Sequence, residues 1–221
     1  MKNKKLTRDF FSRNTRVVAR ELLGKFLVRP VKLPGGNLGI LRGMITETEA
    51  YCGPNDLASH ASRLRRGSGG QARGRTPRAE VMFGNPGLIY IYLIYGMYHC
   101  LNIVTEKEGY PAAVLIRGVT IAQSAKRKAQ KNSSKLKNSK NIVQTTHHSL
   151  KNTDLNGPGR VCRYFQIDRG LNRKDIVKGN ELWVEDAGVV IRPNKIKSAP
   201  RIGIDYAGKY KDKKWRYRIE L

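Results

Sequence analysis

The sequence predicts an α+β fold: a single domain built on a mainly antiparallel sheet, with a protruding β-hairpin and short flanking helices. Its 221 residues suit one domain of ordinary size. Helical patterning is confined to two segments, one near the start of the chain and one that begins at Pro158. The other apolar runs are short and are separated by turns that contain glycine or proline, which is typical of antiparallel strands.

The first fifty residues predict helix followed by two strands. Apolar residues recur over residues 6–23, where one or two short helices are expected. Residues 25–29 form an apolar run typical of a strand. The turn signal Pro34-Gly-Gly-Asn37 then leads into a second strand, predicted over residues 38–48. This second strand leads directly into Glu49, so a polar side chain is expected where a rigid strand ends.

The stretch from residue 87 to residue 102 predicts a β-hairpin. Two runs rich in Ile, Leu and Tyr flank Gly96, which favours a tight reversal near Tyr95-Gly96-Met97. A period of two places Tyr90 and Tyr92 on one face of the first strand and Tyr95 at the tip. An aromatic side chain at a hairpin tip has no core to enter. On a basic chain, we expect it to stack on nucleic-acid bases or to wedge between them.

The rest of the chain predicts one buried strand, one helix and several short strands. Residues 112–116 form an apolar run that ends at Arg117, as expected for a buried strand with a charge at its edge. Asn156-Gly-Pro158 predicts the start of a helix, because proline is favoured in the first turn. Further strands are predicted at residues 182–184, 189–191, 201–204 and 215–219.

The charge of the chain predicts a polyanionic partner. Lys and Arg number 43 against 17 Asp and Glu, a formal charge of +26. Such a charge predicts salt-dependent binding to nucleic acid first and to an anionic membrane surface second. Residues 61–78 contain six arginines and no acid, and we expect a mobile loop that tightens against phosphate. Residues 121–152 contain eight Lys or Arg and no acid, and we expect a disordered or weakly helical low-complexity insertion.

Several functional classes are excluded by what the sequence lacks. No stretch approaches the ~20 apolar residues of a membrane span, and no signal peptide is present, so a soluble intracellular protein is expected. The cysteines, Cys52, Cys100 and Cys162, are odd in number and widely spaced, which argues against a disulfide framework. The commonest zinc, nucleotide and zinc-protease motifs are also absent.

The candidate catalytic groups follow the second strand. Glu47, Glu49 and Tyr51 share one face if that strand continues, and His60 follows nine residues after Tyr51. A carboxylate beside aromatic rings can act as a general base on water or stabilise positive charge on a sugar ring. Spacing alone leaves two alternatives open, a surface pair of glutamates and a two-carboxylate Mg²⁺ site.

Taken in order, the polar motifs resemble the alkyladenine (3-methyladenine) DNA glycosylase family. The matching blocks include Glu47-Thr-Glu-Ala-Tyr-x-Gly-Pro54, Ala58-Ser-His60, Thr76-Pro-Arg78, Tyr90-x-Tyr92, Tyr95-Gly-Met97, Cys100-x-Asn102 and Val114-Leu-Ile-Arg117. The resemblance covers most of the chain outside the two basic stretches. It implies a curved sheet and a monofunctional enzyme of base excision repair. Such an enzyme flips alkylated or deaminated purines out of duplex DNA, hydrolyses the N-glycosidic bond with a glutamate-activated water, and uses no metal or cofactor.

The resemblance also implies a role for each matching residue. Glu49 would be the general base and Arg117 the catalytic residue beside its water. The flipped nucleotide would be bound by Tyr51, His60, Tyr90, Tyr92 and Asn102, with Asn102 helping to exclude guanine. Tyr95 would intercalate with Met97 beside it, and Arg78 and Arg160 would contact the DNA backbone.

The implied partner is damaged double-stranded DNA, with no membrane and no obligate protein partner. A monomer is expected, located at the nucleoid of a bacterial cytoplasm or in the nucleus of a eukaryote. An alternative remains open, a non-catalytic nucleic-acid-binding protein, RNA-associated, in which the tyrosines only stack and the basic loops only bind phosphate. The chain departs from the family pattern after Arg117, where Gly-Val-Thr-Ile replaces the usual Glu-Pro, and before Trp215, where Lys214 replaces proline.

Overall fold

A computed structural model describes residues 3–32, 35–63, 74–121 and 153–220. In these ranges ten strands form one sheet, and all of its strand pairs are antiparallel. The strands are β1 (Lys4–Lys5), β2 (Phe26–Lys32), β3 (Leu38–Tyr51), β4 (Ile89–Ile94), β5 (Tyr98–Val104), β6 (Ala113–Ile121), β7 (Thr153–Asn156), β8 (Trp183–Asp186), β9 (Ile196–Ala199) and β10 (Arg216–Ile219). The α-helices are α1 (Arg8–Phe11), α2 (Thr15–Glu21) and α3 (Pro158–Tyr164). The predicted α+β class with a mainly antiparallel, curved sheet is confirmed.

Two long strands, β3 and β6, form the centre of the sheet. The path of paired strands is β1-β8-β2-β3-β6-β5-β4. The second half of β3 also pairs with β10, which in turn pairs with β9, and the end of β6 also pairs with β7. Each long strand therefore changes neighbours along its length. β3 pairs with β2 in its first half and with β10 in its second, and β6 pairs with β5 in its first half and with β7 in its second.

The main core lies on one face of this sheet. Helices α2 and α3 pack there, and buried residues such as Ile45, Ala50, Val161 and Phe165 belong to one apolar cluster. Thr48 faces the same side and donates a hydrogen bond from its hydroxyl to the carbonyl oxygen of Ala19, at 2.7 Å. The intervening side chains of β3 therefore project from the opposite face.

The predicted hairpin is confirmed as β4 and β5. The N–H of Met97 donates to the carbonyl oxygen of Ile94 at 3.1 Å, and the two residues between them, Tyr95 and Gly96, have φ of +50° and +69°. Positive φ at both central residues matches the right-handed twist of the paired strands. The turn therefore forms without the Asn-Gly or Asp-Gly pair that usually marks it.

Some predicted boundaries are wrong. Strand β6 continues past Arg117 to Ile121 and pairs with β7, which begins at Thr153, so Arg117 lies inside a strand. β3 also continues to Tyr51, past its predicted end at residue 48. The helix predicted at Pro158 is confirmed as α3.

Two predicted C-terminal strands do not form. Residues 189–191 lack strand partners, and Val190 is 86% exposed. Residues 201–204 form a loop because Arg201 is buried against a carboxylate and Gly203 has φ of +73°. Strand β9 was not predicted, since its four residues carry little apolar character.

Two predictions about mobility concern residues outside those that the structure describes. Most of the arginine-rich loop at residues 61–78 and nearly all of the insertion at residues 121–152 fall there. In the described ranges, no helix is long and apolar enough to cross a membrane.

Candidate active site

The register of four neighbouring strands places polar and aromatic residues in one row. Glu49 on β3 pairs with Leu115 on β6, which pairs with Asn102 on β5, which pairs with Tyr90 on β4. Residues paired in this way point to the same face of a sheet. Thr48 and Ala50 face the main core, so this row lies on the opposite face.

A cavity of about 260 Å³ lies over this row. Its floor is the sheet, and its walls are the segment after β3, the 3₁₀ turn at Glu80–Phe83 and the loop before Asp205. It brings together most of the residues predicted for the site, namely Glu49, Tyr51, His60, Tyr90, Tyr92, Tyr95, Asn102 and Arg117. Residues separated by almost seventy positions in sequence thus face one space.

The carboxylate of Glu49 is fully buried at this floor. Its Oε2 accepts a hydrogen bond from the Tyr51 hydroxyl at 2.9 Å, and its Oε1 accepts one from the Ile202 N–H at 3.0 Å. The Nε of Arg117 lies 3.6 Å from Oε1. Burial raises the pKa of Glu49, while Arg117 and the two hydrogen bonds oppose that rise. The result is a carboxylate that accepts a proton more readily than an ordinary glutamate.

Aromatic side chains line one side of the cavity. The His60 and Tyr92 rings meet edge to face with centroids 4.6 Å apart, and the Tyr90 and Tyr92 rings are 5.4 Å apart. His60 Nδ1 and the Tyr90 hydroxyl oxygen are 2.9 Å apart. Burial raises the pKa of Tyr90 to about 12 and that of Tyr92 well above its usual value, so both rings remain uncharged phenols.

Asn102 is almost fully buried beside these rings. Its Nδ2 donates to the carbonyl oxygens of Tyr90 and Cys100, at 3.2 and 3.3 Å. With both amide hydrogens committed to the backbone, Oδ1 is the polar atom that the side chain keeps for a ligand. Cys100 also lines the cavity, and burial raises the pKa of its thiol to about 11.

The hairpin tip stands at the edge of the cavity. Tyr95 is 85% exposed and Met97 is 65% exposed, and Tyr95 also lines the cavity, whereas Met97 does not. The predicted DNA-backbone residues lie outside it too. The exposed Arg78 guanidinium sits 4.9 Å from the centre of the Tyr92 ring, and Arg160 is exposed on α3.

Sequence reasoning missed the groups that fix the walls. The Arg201 guanidinium and the Asp56 carboxylate form a fully buried pair at 2.5 and 2.8 Å, which joins the loop of Ile202 to the segment after β3. The Arg201 charge also lies 4.8 Å from the Tyr51 ring centre and 5.0 Å from that of Trp215. An arginine in an otherwise apolar run is the available signal in the sequence, but the run itself predicts a strand.

The described residues contain no group of three His, Cys, Asp or Glu side chains placed to hold a metal ion. Glu47, the second carboxylate of the Mg²⁺ alternative, is held by Arg117 at 3.2 Å and Arg216 at 2.8 Å. The negative charge of Glu47 is therefore neutralised by two guanidinium groups, both of which contact the same carboxylate oxygen, Oε1.

The chain is similar to proteins of one known family. A model of the family described as methylpurine-DNA glycosylase (MPG) matches residues 9–221. A protein of Methanocella arvoryzae is 46% identical over 218 residues, which cover 96% of this chain and 90% of the relative. A Clostridium perfringens protein is 40% identical (98% and 96% covered), and one from Rickettsia prowazekii is 41% identical (97% and 94% covered). All three are named "Putative 3-methyladenine DNA glycosylase".

Proposed function

Because the chain belongs to the methylpurine-DNA glycosylase family, we propose that it flips a damaged purine out of duplex DNA and hydrolyses its N-glycosidic bond with water activated by Glu49. The family and its relatives make the chain a DNA glycosylase, a hydrolase of N-glycosidic bonds that acts in base excision repair. The choice of water as nucleophile, the residue that activates it and the flipping step are the parts proposed.

The observation that carries the proposal is the buried, hydrogen-bonded carboxylate of Glu49 at the floor of an aromatic cavity. Tyr51 and Ile202 hold both oxygens in place, and burial raises the affinity of the carboxylate for a proton. In the proposed step the water oxygen bonds to the sugar C1′ while the C1′–N bond breaks. The bonding pair leaves with the base, and Glu49 receives the proton from the water. Before that transfer, its negative charge also stabilises positive charge on the sugar.

The aromatic wall supports the choice of alkylated purines. Tyr51, His60 and Tyr92 surround a space that a planar base can enter. A base such as 3-methyladenine is cationic, and a cation over an electron-rich ring gains about 0.5–2 kcal/mol. The same charge makes the base a good leaving group, so that hydrolysis needs a general base more than a general acid. A deaminated purine is neutral and needs a proton as it leaves, and we propose His60, which lines the cavity, or an ordered water as the donor.

The hairpin supports the flipping step. Extruding a nucleotide costs a few kcal/mol of stacking, which an inserted side chain can replace. Tyr95 is exposed at a tight turn on the cavity edge, and Met97 lies beside it. Arg78 and Arg160 are exposed cations on the flanks and are proposed to contact phosphates.

The cavity also supports a monofunctional reaction. No lysine is among its described lining residues, so the chain offers no amine there to form a covalent intermediate with the sugar. The expected product is an abasic site in an uncut strand. The enzyme is proposed to act as a monomer, without an obligate protein partner.

The test is release of free 3-methyladenine from a freshly methylated DNA duplex in EDTA, with Glu49→Gln assayed alongside. General-base catalysis contributes about 10²–10⁴-fold, so the variant should lose that factor while it still binds damaged DNA. Glutamine keeps both local contacts, because its oxygen can face the Ile202 N–H and its amide can face the Tyr51 hydroxyl. Release by Glu49→Gln within tenfold of the parent chain would refute the role of Glu49. No release by the parent chain would favour a protein that only binds nucleic acid.

A further inference from the structure

Arg117 is shared unequally between two carboxylates. Its Nε donates a hydrogen bond to Glu47 Oε1 at 3.2 Å, whereas the same nitrogen lies 3.6 Å from Glu49 Oε1. A contact of 3.6 Å is beyond ordinary hydrogen-bond length. The guanidinium charge is therefore held mainly by Glu47, and the base proposed for catalysis receives the weaker contact.

A second arginine completes a line of alternating charges. Arg216 Nη1 donates to the same Glu47 Oε1 at 2.8 Å, and its Nε donates to the carbonyl oxygen of Pro200 at 2.8 Å. The order is Arg216, Glu47, Arg117, Glu49. Their side chains are only 17%, 15%, 16% and 1% exposed, so the charges interact with little screening by solvent. A change at the far end of this line is expected to reach Glu49.

The backbone is built to bring these groups together. In the pairing of β3 with β6, Ile45 faces Val119, Glu47 faces Gly118, and the register then shifts so that Arg117 has no partner residue. This β-bulge directs Arg117 toward the glutamates. A Cβ on Gly118 would lie 2.8 Å from the Cβ of Glu47, so glycine is required for the two strands to approach this closely.

Glu47 and Arg216, the half of the line farther from Glu49 along the chain of contacts, border a second cavity. Glu47 and Arg216 line a space of about 400 Å³ together with Arg218, and this space reaches Arg117 and Ile202. The pair is thus separated from the cavity proposed to hold the base, and neither residue lines that cavity. An effect of Glu47 on the chemistry therefore passes through Arg117 or through the field of its charge. Arg216 is in addition the partner residue of Glu49 in the pairing of β10 with β3, and it bonds Pro200, two residues before Ile202.

We infer that Glu47 and Arg216 are positioning residues that set the base strength of Glu49 by deciding how closely Arg117 approaches it. The inference rests on the proposed function of Glu49. Glu47 draws the Arg117 guanidinium away from Glu49 and leaves that carboxylate more basic. Arg216 competes for the same Glu47 oxygen and so weakens its hold on Arg117. The two residues therefore act on Glu49 in opposite directions.

Other groups facing Glu49 must be held constant in a test. From the loop after β9 it receives the Ile202 N–H, from its own strand the Tyr51 hydroxyl, and from β4 and β5 it faces Tyr92 and Cys100. Arg201 lies behind the Tyr51 ring. Substitutions at Glu47 or Arg216 replace none of these groups, but Arg216 also bonds the carbonyl oxygen of Pro200, two residues before Ile202.

The experiment measures the single-turnover rate of 3-methyladenine release against pH, with enzyme in excess over a methylated duplex. The rate should fall on the acid side as Glu49 becomes protonated. Glu47→Gln should shift this acid limb to lower pH, because Arg117 moves onto Glu49 and a repelling charge is lost. Arg216→Gln should shift it to higher pH, because Glu47 then holds Arg117 more firmly. A merely structural defect would lower the rate without moving the limb in opposite directions.

Arg218→Gln is the matched control, since Arg218 lies on the same strand, lines the same second cavity and is exposed. The acid limb of the pH–rate profile of Arg218→Gln should coincide with that of the parent chain. An acid limb that stays at the parent position in a folded Glu47→Gln or Arg216→Gln variant, or shifts in the same direction in both, overturns the inference. If Glu47→Gln does not fold, Arg216→Gln decides alone. Absence of base release by the parent chain at every pH would instead refute the proposed function.

Discussion

Replacing Asp56 with Asn tests whether the buried pair with Arg201 holds the walls of the cavity together. Each Asp56 oxygen accepts two donors: Oδ2 from Arg201 Nη1 and the Cys52 N–H, Oδ1 from Arg201 Nη2 and the Ala58 N–H. Asparagine has the same shape, but its amide must face two donors whichever way it turns. The substitution therefore leaves a guanidinium charge buried without its partner.

The magnitude follows from the complete burial of both side chains. Removing one partner of a buried ion pair costs about 3–5 kcal/mol. At about 2–4 °C per kcal/mol for a chain of this size, the midpoint of thermal unfolding should fall by about 6–20 °C. Below that midpoint, base release should also slow, because Ile202, whose N–H holds Glu49, follows Arg201 directly.

Thermal unfolding followed by circular dichroism is the assay, and Glu21→Gln is the control. Glu21 pairs with Arg13 at 2.8 Å, but the two side chains are 49% and 39% exposed. Such a surface pair contributes about 0–1 kcal/mol, so the midpoint of thermal unfolding of Glu21→Gln should stay close to that of the parent chain. If Asp56→Asn lowers the midpoint no more than Glu21→Gln does, the pair does not hold the walls, and the loop of Ile202 must be fixed in another way.

Two further predictions concern Glu49 and Tyr95. Burial raises the pKa of Glu49 above about 4.5, so its protonated form stabilises the fold at low pH and this contribution is lost as the pH rises through the raised pKa. Glu49→Gln should therefore unfold at a higher temperature than the parent chain at neutral pH, with the gap closing toward pH ~4.5; a gap that does not depend on pH would contradict the assigned cause. Tyr95→Ser should reduce affinity for damaged duplex about 5- to 150-fold, since stacking of a base on an aromatic ring is worth about 1–3 kcal/mol. Because Tyr95 is 85% exposed, the Tyr95→Ser variant should keep the thermal midpoint of the parent chain and its affinity for undamaged duplex. If the variant also binds damaged duplex as tightly as the parent chain, Tyr95 is not the residue that replaces the flipped base in the stack.

The sequence predicted the parts of the fold whose signals are local. The hairpin of β4 and β5 follows from two β-rich runs around Gly96, and α3 follows from a proline in its first turn. The register between distant strands has no local signal. For that reason the bulge at Arg117 and the pairing of β6 with β7 could not be predicted, although the residues involved were singled out.

In the candidate site, too, the features with a local sequence signal were predicted and those without one were not. Side chains that face the cavity stand in motifs, and the structure brings Glu49, Tyr92 and Asn102 together as the resemblance implied. The groups that hold those side chains were missed. Ile202 acts through its backbone N–H, which no side-chain pattern reveals, and Arg201 stands in an apolar run that predicts a strand.

The site depends on strand register more than on any single contact. A slip of one residue would turn Glu49 toward the core and bring Thr48 to the cavity floor, because side chains alternate along a strand. Two contacts outside the cavity oppose such a slip. The Thr48 hydroxyl is bound to the Ala19 carbonyl, and Gly118 admits Glu47 where any side chain would collide. Residues that do not line the cavity therefore decide whether Glu49 faces it. Substitutions there should abolish base release while leaving every cavity residue in place in the sequence.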